Sequence, residues 1–596
     1  MKTFNRLYKL TAGNRHLYLF ALFCISTSVV ITLMPPLIIS FTLDNAIMGA
    51  EYTTFAHRLF GSILGTENVR YNLWIPMVAI VALTSVRSLA GYTNNRLQAL
   101  ACESIIRTMR NKIYDHMQKL PYAYHVQAQA GGLIQRATSD VDNIRTFIAG
   151  QVNEMMRTFL LSIIALVVLF NLHTPLALIS SIVLPAMFSA SYIFNKRLKK
   201  AFLHQDEMEE ELFETIQENL SGVRVVRAFG RSSYEMEKFS EKNDKFRNLG
   251  QALFKQRAIY WACSDFVGLS QLAAIIVFGS YFAIAGELTL GTMLVFTLYA
   301  NNLIWPIRNM GRILADMGRM GVSLDRIEAI LNEPEETDTP GAAPCDLKQN
   351  ITFSGVNFSY EDGKQVLQNL DITIKNGETV AILGSTGSGK STIMHLLLRL
   401  YDYPTGSIKI GETELRDISK SHLRKKIGLV LQEPFLYSKT IDQNLKMAKD
   451  TVLDNEVIAA TKTAKAHNFI QGFEKKYDTM LGERGITLSG GQRQRVAIAR
   501  TIIKDSDILI FDDSLSAVDT ETDAQIRNAL KEKSKDTTTI IISQRLATLQ
   551  EADKIFVMEK GRITDIGNHT ELISRPGLYK RIWDIQTMLE DELSNE

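Results

Sequence analysis

Cysteine is scarce in this chain. Only Cys24, Cys102, Cys263 and Cys345 occur among 596 residues, and long stretches separate them. Their spacing fits neither a metal site nor a Cys-x-x-Cys redox pair. We therefore expect four reduced thiols that take no part in the chemistry.

An excess of charge of one sign is missing as well. The 66 Lys and Arg residues nearly balance the 64 Asp and Glu residues, which leaves a formal net charge of +2. Because nucleic-acid-binding domains tend to be strongly basic, we expect no nucleic-acid partner. The length of 596 residues exceeds what one hydrophobic core usually holds, so we expect at least two domains.

Long apolar runs are abundant in the first half. A helix needs roughly 20 predominantly apolar residues to cross a bilayer. A short basic segment with Lys2, Arg6, Lys9 and Arg15 precedes the first run, which is too long for the core of a signal peptide. We therefore predict six membrane spans, the first of them retained. The six runs are 17–43, 72–94, 155–172, 174–195, 258–284 and 289–307.

The distribution of basic residues predicts the orientation of these spans. Lys and Arg are frequent in 96–150 and 195–257, whereas 171–175 and 285–288 contain neither. Since cytoplasmic loops carry the excess of Lys and Arg, the N-terminus, both long connections and the second half should face the cytoplasm. This arrangement is typical of a multi-pass protein of the cell membrane, either the plasma membrane or an inner membrane.

Two further patterns concern the membrane half. Apolar residues at helical spacing, such as Ile105, Met109 and Ile113, indicate that membrane helices continue through the long cytoplasmic connections. Ionisable residues within or near the spans line a substrate path, snorkel to the membrane interface or pair with one another, and the sequence leaves these alternatives open. These residues are Asp44, Arg87, Arg157 and Asp265.

The second half contains a phosphate-binding motif. In ETVAILGSTGSGKST, at 378–392, an apolar strand enters a glycine-rich loop that fits the G-x-x-x-x-G-K-[ST] pattern. We expect Lys390 to meet the β- and γ-phosphates of ATP and the Ser391 hydroxyl to bind Mg²⁺. The helix that begins there directs its positive end at the same anion. The predicted ATP-binding residues are Gly384, Ser385, Thr386, Gly387, Ser388, Gly389, Lys390, Ser391 and Thr392.

A second strand ends in acidic residues. The strand DILIF at 507–511 places Asp512 at its C-terminal end, where a parallel α/β sheet has its ligand contacts. We expect Asp512 to hold the metal and Asp513 to lie beside the attacking water. The whole pattern predicts a multidomain membrane protein in which a transmembrane domain of six α-helices precedes an α/β P-loop NTPase domain. The predicted segments are a transmembrane domain at 1–325, a linker at 326–348, a nucleotide-binding domain at 349–588 and an acidic tail at 589–596.

The segment LSGGQRQRVAIAR at 488–500 indicates the kind of ATPase. Ser489, Gly490 and Gly491 precede a helix and leave backbone N–H groups free for an anion. One nucleotide cannot easily use both this helix start and the phosphate loop of the same compact domain. A second copy of the domain, packed head to tail, can supply the other half of each site.

With these motifs the chain resembles an ABC transporter half with type I exporter architecture, over nearly its whole length. The stretches LPYAYHVQAQAGGLIQRATSDVDNIR at 120–145 and ENLSGVRVVRAFG at 218–230 resemble the two intracellular loops of that family. The resemblance implies two halves with twelve spans and two ATP molecules. It also implies short helices near 121–131 and 215–223 that couple the nucleotide-binding domains to the membrane helices.

The resemblance assigns further residues. Tyr360 falls where the family stacks an aromatic ring on adenine, and Gln432 falls where a glutamine links the γ-phosphate and the metal to the membrane domain. Ser516 to Asp519 match the D-loop between the two sites. The signature motif that caps the partner's ATP is matched by Ser489, Gly490, Gly491 and Gln492.

Two positions depart from the family. Asp513 replaces the catalytic glutamate, and Gln544 replaces the switch histidine. Aspartate retracts the carboxylate by about one bond length, roughly 1.5 Å, and a misplacement of about 1 Å can cost on the order of 100-fold in rate. Glutamine can donate a hydrogen bond to the γ-phosphate but cannot become a cation. We interpret this chain's own ATP site as impaired.

The impaired site favours a heterodimeric exporter of the multidrug type. A second half-transporter with an intact Glu and His would hydrolyse most of the ATP, using this chain's signature motif. One alternative is a homodimeric exporter of lipid or drugs with slow hydrolysis. The other is a nucleotide-gated regulatory ABC protein that does not pump. The expected substrate is a small amphipathic or drug-like molecule.

Overall fold

The computed structural model describes residues 15–52, 54–128, 130–360, 363–514, 518–533 and 536–594. The chain divides into two compact units, one made of residues 1–119 and 128–334, the other of residues 120–127 and 335–596. Lys2, Arg6 and Lys9 lie outside the described ranges, as do Ser516 and Ala517 of the D-loop and the last two residues of the acidic tail.

The first unit is helical. Short π-helical turns at Thr42–Ile47, Arg136–Asp140 and Phe147–Gln151 interrupt its helices. In chain order the helices up to residue 334 are α1 (Arg15–Phe41), α2 (Phe55–Leu64), α3 (Thr66–Tyr71), α4 (Trp74–Lys119), α5 (Tyr122–Gln127), α6 (Ala130–Gln135), α7 (Val141–Thr146), α8 (Val152–Leu172), α9 (Thr174–Ser221), α10 (Val223–Ala228), α11 (Ser232–Ile284) and α12 (Leu290–Leu331). Of these, α5 belongs to the second unit.

The six predicted spans are confirmed. Within the described ranges, six helical segments are long and apolar enough to cross a membrane. They are His16–Ile47, Trp74–Lys119, Gly131–Leu172, Thr174–Ser221, Ser232–Ile284 and Leu290–Leu331.

The spans extend well beyond a bilayer, as the helical spacing of the long connections predicts. The helices α4, α9 and α11 contain 46, 48 and 53 residues without a break, against the roughly 20 that a bilayer requires. Ile105, Met109 and Ile113 are buried and form one apolar cluster with Met320 and Ile327 of α12. This packing stabilises the extended parts of the helices, because an amphipathic helix in a protein owes most of its stability to the neighbour that buries its apolar face.

A buried carboxylate joins the first span to the sixth. One oxygen of Asp44 accepts a hydrogen bond from the backbone N–H of Gly291 at 2.9 Å. The other accepts from the hydroxyls of Thr289 at 2.7 Å and Ser40 at 3.1 Å. Because Thr289 and Gly291 begin α12, the carboxylate lies at the positive end of that helix. The Ser40 hydroxyl also lies 3.2 Å from Nε2 of His57, which is buried in α2.

Two other ionisable residues in the spans also have partners. Asp265 of α11 accepts a hydrogen bond from the guanidinium of Arg308 at 2.7 Å, and that guanidinium lies 5.0 Å from the centre of the Trp261 ring. Arg157 lies 3.8 Å from Glu154 on the same helix. For Asp265 and Arg157 the structure therefore shows pairing with another ionisable residue, whereas the partners of Asp44 are a backbone N–H and two hydroxyls.

The second unit contains two sheets. Its strands are β1 (Ile351–Ser359), β2 (Gln365–Ile374), β3 (Thr379–Gly384), β4 (Thr405–Ile410), β5 (Thr413–Glu414), β6 (Ile427–Val430), β7 (Ile508–Asp512), β8 (Thr538–Ile542), β9 (Lys554–Glu559) and β10 (Arg562–Gly567). Its remaining helices are α13 (Lys390–Leu397), α14 (Lys420–Lys426), α15 (Ile441–Lys446), α16 (Asp454–Thr463), α17 (His467–Gln471), α18 (Gly490–Ile503), α19 (Thr520–Lys533), α20 (Leu546–Leu549), α21 (His569–Ile573) and α22 (Leu578–Ser594).

The strand order positions the predicted motifs. One sheet has the order β2-β1-β4-β5 with antiparallel pairs, and the other has the order β10-β9-β3-β8-β7-β6. In the second sheet β9, β3, β8, β7 and β6 run parallel, and only β10 is antiparallel. The carboxyl ends of β3, β8, β7 and β6 therefore lie side by side at one edge, where ligands of open α/β sheets bind.

The contact between Asp44 and α12 gives a stability prediction. A Cβ atom at Gly291 would overlap the Asp44 carboxylate. We expect Gly291→Ala to lower the free energy of unfolding by about 1–3 kcal/mol, as overpacking in a filled site does. Thermal unfolding of the full-length chain in one detergent measures this.

The matched control is Gly91→Ala in α4. A Cβ there would meet no atom within 4 Å, and alanine is the better helix former. We expect its melting temperature to equal or slightly exceed that of the unchanged protein. Equal melting temperatures for the Gly291 and Gly91 variants would contradict a packed contact at Asp44.

Candidate functional site

The predicted phosphate loop joins β3 to α13. Gly389 has a φ of +104° at the start of α13, a left-handed conformation that favours glycine. A Cβ there would lie 2.8 Å from the Leu367 side chain and 3.1 Å from the Val366 carbonyl oxygen, so the position also has no space for a side chain. The Lys390 ammonium donates hydrogen bonds to the carbonyl oxygens of Gly384 and Ser385, both at 2.9 Å, and is thereby held inside the loop.

Two oxygen ligands suited to Mg²⁺ lie next to this loop. Asp512 ends β7 and is 8% exposed, and its Oδ1 accepts a hydrogen bond from the Ser391 hydroxyl at 3.3 Å. Burial raises the pKa of the Asp512 carboxyl, while Ser391 and Lys390 oppose that rise. Hydroxyl and carboxylate oxygens are the ligands that Mg²⁺ prefers, together with water and substrate phosphates.

The rest of a metal shell would come from the nucleotide. Among the described residues, no group of three or more His, Cys, Asp and Glu side chains is placed to hold a metal ion. An ion between Ser391 and Asp512 would therefore need phosphate oxygens, which is how Mg²⁺ is usually held in nucleotide sites.

Asp513 has an unusual backbone conformation beside the metal ligand. Its φ is +44°, and its N–H donates to the Ile542 carbonyl of β8 at 2.8 Å. Gln432, two residues past β6, approaches its Oδ2 with Nε2 at 3.5 Å, the outer limit of a hydrogen bond. Burial raises the pKa of the Asp513 carboxyl, and the negative charge of Asp512 raises it further.

Most of the predicted residues of this chain's own ATP site line one cavity, whereas Gly384, Ser385 and Ser388 of the phosphate loop do not. The cavity has a volume of about 640 Å³, within the range of small-molecule sites. Gln544, two residues past β8, lines the cavity and is exposed. Its backbone carbonyl oxygen accepts a hydrogen bond from the side-chain amide of Gln586 in α22 at 3.2 Å. The predicted residues in the lining are Tyr360, Thr386, Gly387, Gly389, Lys390, Ser391, Thr392, Gln432, Asp512, Asp513 and Gln544.

Two cationic residues that no sequence pattern marks, Lys364 and Lys560, also line the cavity. Lys560 lies in the turn between β9 and β10 with a φ of +48°, and the next residue, Gly561, donates its N–H to the Ser388 carbonyl at 3.1 Å. Only the parallel pairing of β9 with β3 brings this turn to the phosphate loop. Neither lysine belongs to a motif, so no signal in the sequence marks them.

The signature residues do not line this cavity. Ser489 caps α18: its hydroxyl accepts from the N–H of Gln492 at 3.3 Å, and the Gln492 side chain accepts from the N–H of Ser489 at 3.0 Å. Gly490 and Gly491 follow directly in the first turn, where backbone N–H groups have no partner within the helix. The start of α18 therefore has the geometry of an anion-binding helix terminus.

Asp519 of the D-loop caps the next helix. Its carboxylate accepts a hydrogen bond from the backbone N–H of Thr522 at 2.8 Å. Bonds to Thr522 lower the pKa of the Asp519 carboxyl. Asp519 does not line the cavity either. The cavity is thus lined by residues of the phosphate loop, by Asp512 and Asp513 and by Gln544, whereas the signature residues and Asp519 lie outside it.

Comparisons with known proteins identify the family. Residues 18–307 match the model described as ABC transporter transmembrane region, and residues 367–516 match the model described as ABC transporter. An uncharacterised ABC transporter ATP-binding protein of Bacillus subtilis, YknU, is 34% identical over 98% of each chain. This chain belongs to the ABC transporter family. The resemblance stated from its motifs is thereby confirmed at the level of the family.

Other similar proteins cover nearly the same length. YgaD of Bacillus subtilis, a putative multidrug export ATP-binding/permease protein, is 32% identical over 94% of this chain and 95% of that protein. A Staphylococcus aureus protein of the same description is 33% identical, again over 94% of this chain and 95% of that protein. A solved bacterial Atm1-family ABC exporter with ATP bound shares the fold, with a TM-score of 0.81, 23% identity and coverage of 96% of this chain and 98% of that chain.

As an ABC exporter half-transporter, the protein is an ATPase coupled to transport and uses ATP with Mg²⁺. It is a multi-pass protein of the bacterial cell membrane with a cytoplasmic ATP-binding domain, as the basic residues of its connections predict. The predicted fold class, six membrane helices followed by an ABC nucleotide-binding domain, is confirmed.

The contact between Ser391 and Asp512 gives a metal prediction. Ser391→Ala removes one oxygen ligand and little volume. We expect the affinity for ATP with Mg²⁺ to fall about tenfold, as loss of a metal-site group typically does. The affinity for ATP in excess EDTA should stay unchanged. Titrations of the full-length chain under both conditions measure this, with Ser354→Ala on the exposed face of β1 as control. Equal losses in the presence and absence of Mg²⁺ would refute a metal role for Ser391.

Proposed function

We propose that this ABC exporter is one half of a heterodimer whose own ATP site is impaired and whose signature motif completes the partner's hydrolytic site. The observation that carries the proposal is that Asp513 and Gln544, the two departures from the family pattern, line the same cavity as Lys390 and Asp512. Both changes therefore affect one nucleotide, the one that this chain binds.

The position of Asp513 supports weak hydrolysis at this site. A general base must come within hydrogen-bond distance of the proton that it removes. The Asp513 side chain is one methylene shorter than glutamate, so its carboxylate extends less far, by roughly 1.5 Å, toward a water held at the γ-phosphate. The backbone N–H of Asp513 is bonded to Ile542, so a backbone shift that brings the carboxylate forward would break a bond to β8.

The residue at the switch position adds a second deficit. Gln544 is exposed at the edge of the cavity, and its side chain has a neutral amide. A neutral donor stabilises the charge that develops on the γ-phosphate less than a cation does. The two deficits together predict a site that binds ATP and rarely hydrolyses it.

The signature motif supports a partner with a competent site. Ser489 caps a regular helix of 14 residues, and Gly490 would accept a Cβ without a clash. Nothing in this geometry departs from an anion-binding helix start. Since the motif lies outside this chain's cavity, we infer that it serves the ATP of a second half-transporter with an intact Glu and His.

The substrate proposal rests on the relatives. Two of them are described as putative multidrug export ATP-binding/permease proteins. We therefore propose a small amphipathic or drug-like substrate. A homodimer with slow hydrolysis and a nucleotide-gated protein that does not pump are the alternatives that the experiments below separate.

The assembled pair should respond unequally to changes at its two sites. We expect Asp513→Ala to keep at least half of the ATPase rate and Gly490→Asp to lower it about 100-fold, because a carboxylate at the helix start repels the partner's phosphates. The measurement is ATPase activity and uphill dye accumulation in vesicles that contain the co-purified pair. If Asp513→Ala lowered the ATPase rate as much as Gly490→Asp does, the proposal of one impaired and one hydrolytic site would be refuted. ATPase activity without dye accumulation would favour the non-pumping alternative.

The chain by itself offers a gain-of-function test. Purified alone, at a concentration at which two copies pair head to tail and each supplies its signature motif to the other, it should hydrolyse ATP slowly. The double variant Asp513→Glu with Gln544→His should then be faster by about 100-fold, the factor expected for a catalytic group misplaced by about 1 Å. Steady-state ATPase assays measure this, and Asp513→Asn with Gln544→His serves as the matched control that lacks a base. Robust turnover by the unchanged chain alone would instead support the homodimer.

A further inference from the structure

An apolar groove lies between the first and second spans and is here named the α1–α4 groove. It has a volume of about 400 Å³, within the range of small-molecule sites. Ile39, Leu43 and Ile47 form one wall, and Met77 and Val81 belong to the other. With six spans and a cytoplasmic ATP-binding domain, the end of the first span and the start of α4 lie on the outer side of the membrane. The groove therefore opens at the depth of the outer leaflet.

The π-helical turn Thr42–Ile47 at the end of the first span separates polar from apolar side chains. Asp44 and Asn45 are buried in the helical unit, and Asp44 binds the start of α12. Leu43 and Ile47 of the same turn line the groove instead. The turn thus directs its polar residues into the protein and its apolar residues at the groove.

The groove offers no free polar side chain to a ligand. Among its described lining residues, Thr42 is the one with a polar side chain, and its hydroxyl donates to the Ile38 carbonyl at 2.8 Å. Because a water molecule in a cavity needs about two to four polar partners, this lining favours an apolar occupant. Met77 is 62% exposed and Ile47 is 50% exposed, so this chain itself does not cover the groove.

The dimensions of the groove fit a hydrocarbon chain. From Ile39 to Ile47 it extends about 12 Å, at a rise of about 1.5 Å per residue. The hydrocarbon of one leaflet is about 15 Å thick, half of the bilayer core. The volume over that length corresponds to a cross-section of roughly 33 Å², less than half of the roughly 80 Å² of an α-helix about 10 Å wide. The groove therefore has room for an acyl chain and too little for a helix.

The outer end of the groove carries side chains suited to the lipid headgroups. Tyr71 and Trp74, directly before the part of α4 that lines the groove, are 80% and 61% exposed. Exposed Tyr and Trp at the end of a span lie at headgroup level. Arg70, at the end of α3, is exposed and forms no ion pair with any described residue. A guanidinium of this kind can bind a phosphate through two hydrogen bonds.

We propose that the α1–α4 groove binds one acyl chain of an outer-leaflet glycerophospholipid, with Arg70 on the lipid phosphate. An anionic phosphatidylglycerol fits this site better than phosphatidylcholine, because the choline cation is repelled by Arg70. The site lies outside the ATP cavity and uses residues of this chain alone. It therefore does not depend on the heterodimer proposed above.

The headgroup is tested by native mass spectrometry of the full-length chain in detergent. The delipidated protein is titrated with phosphatidylglycerol and with phosphatidylcholine of the same acyl chains. We expect one tightly held phosphatidylglycerol per chain. Arg70→Gln should weaken its binding about threefold, as the loss of an exposed charge pair does, and should remove the preference over phosphatidylcholine.

The acyl-chain site is tested from both walls of the groove. Ile47→Trp and Met77→Trp each place an indole in the groove and should lower the affinity for both lipids about tenfold, the effect of displacing about two methylene groups. Val86→Trp is the matched control, since Val86 is also exposed on α4 but does not line the groove. It should bind both lipids as the unchanged protein does. Melting temperatures in lipid-free detergent show that each variant is folded.

Three results would overturn the proposal. One is equal affinity of the unchanged chain for the two lipids, and another is a preference that survives Arg70→Gln. The third is full lipid affinity in both groove-filling variants. If those two variants keep the lipid but separate the assembled exporter into its halves on size-exclusion chromatography, the groove is a protein interface and the lipid site is refuted.

Discussion

The junction between β3 and α13 is the constraint on which the nucleotide site depends. Gly389 turns the chain in a left-handed conformation against Val366 and Leu367, and Lys390 closes the loop through the carbonyls of Gly384 and Ser385. Because β3 is buried in the middle of a parallel sheet, the end of the loop that leaves β3 is anchored in that core. The start of α13 is fixed in the same way, and with it Ser391.

The parallel order of the strands then brings the other groups to this junction. Gln544 lies just past the carboxyl end of β8, Asp512 and Asp513 lie at that of β7, and Gln432 lies just past that of β6. The backbone N–H of Asp513 is bonded to β8, which fixes the point from which its side chain extends toward the cavity.

The membrane unit follows a different physical rule, because charge inside a span needs a partner. Asp44 receives donors from the start of α12 and from Ser40, and Asp265 pairs with Arg308. These contacts hold helices together at positions where apolar packing alone has no specificity. In the cytoplasmic extensions the helices are held together by apolar packing instead, where Ile105 and Ile113 pack with α12.

The sequence by itself determined the six spans, the two-part division into membrane and nucleotide-binding halves, and the phosphate loop. Each of these features depends on residues that are close together in the chain: a long apolar run, apolar residues at helical spacing, or a motif of neighbouring residues. The tertiary structure alone decided that Lys364 and Lys560 line the cavity, that Asp44 caps a helix 247 positions away, and that Ile47 and Met77 line one groove. Contacts between distant residues depend on strand order and helix packing, which local patterns do not encode.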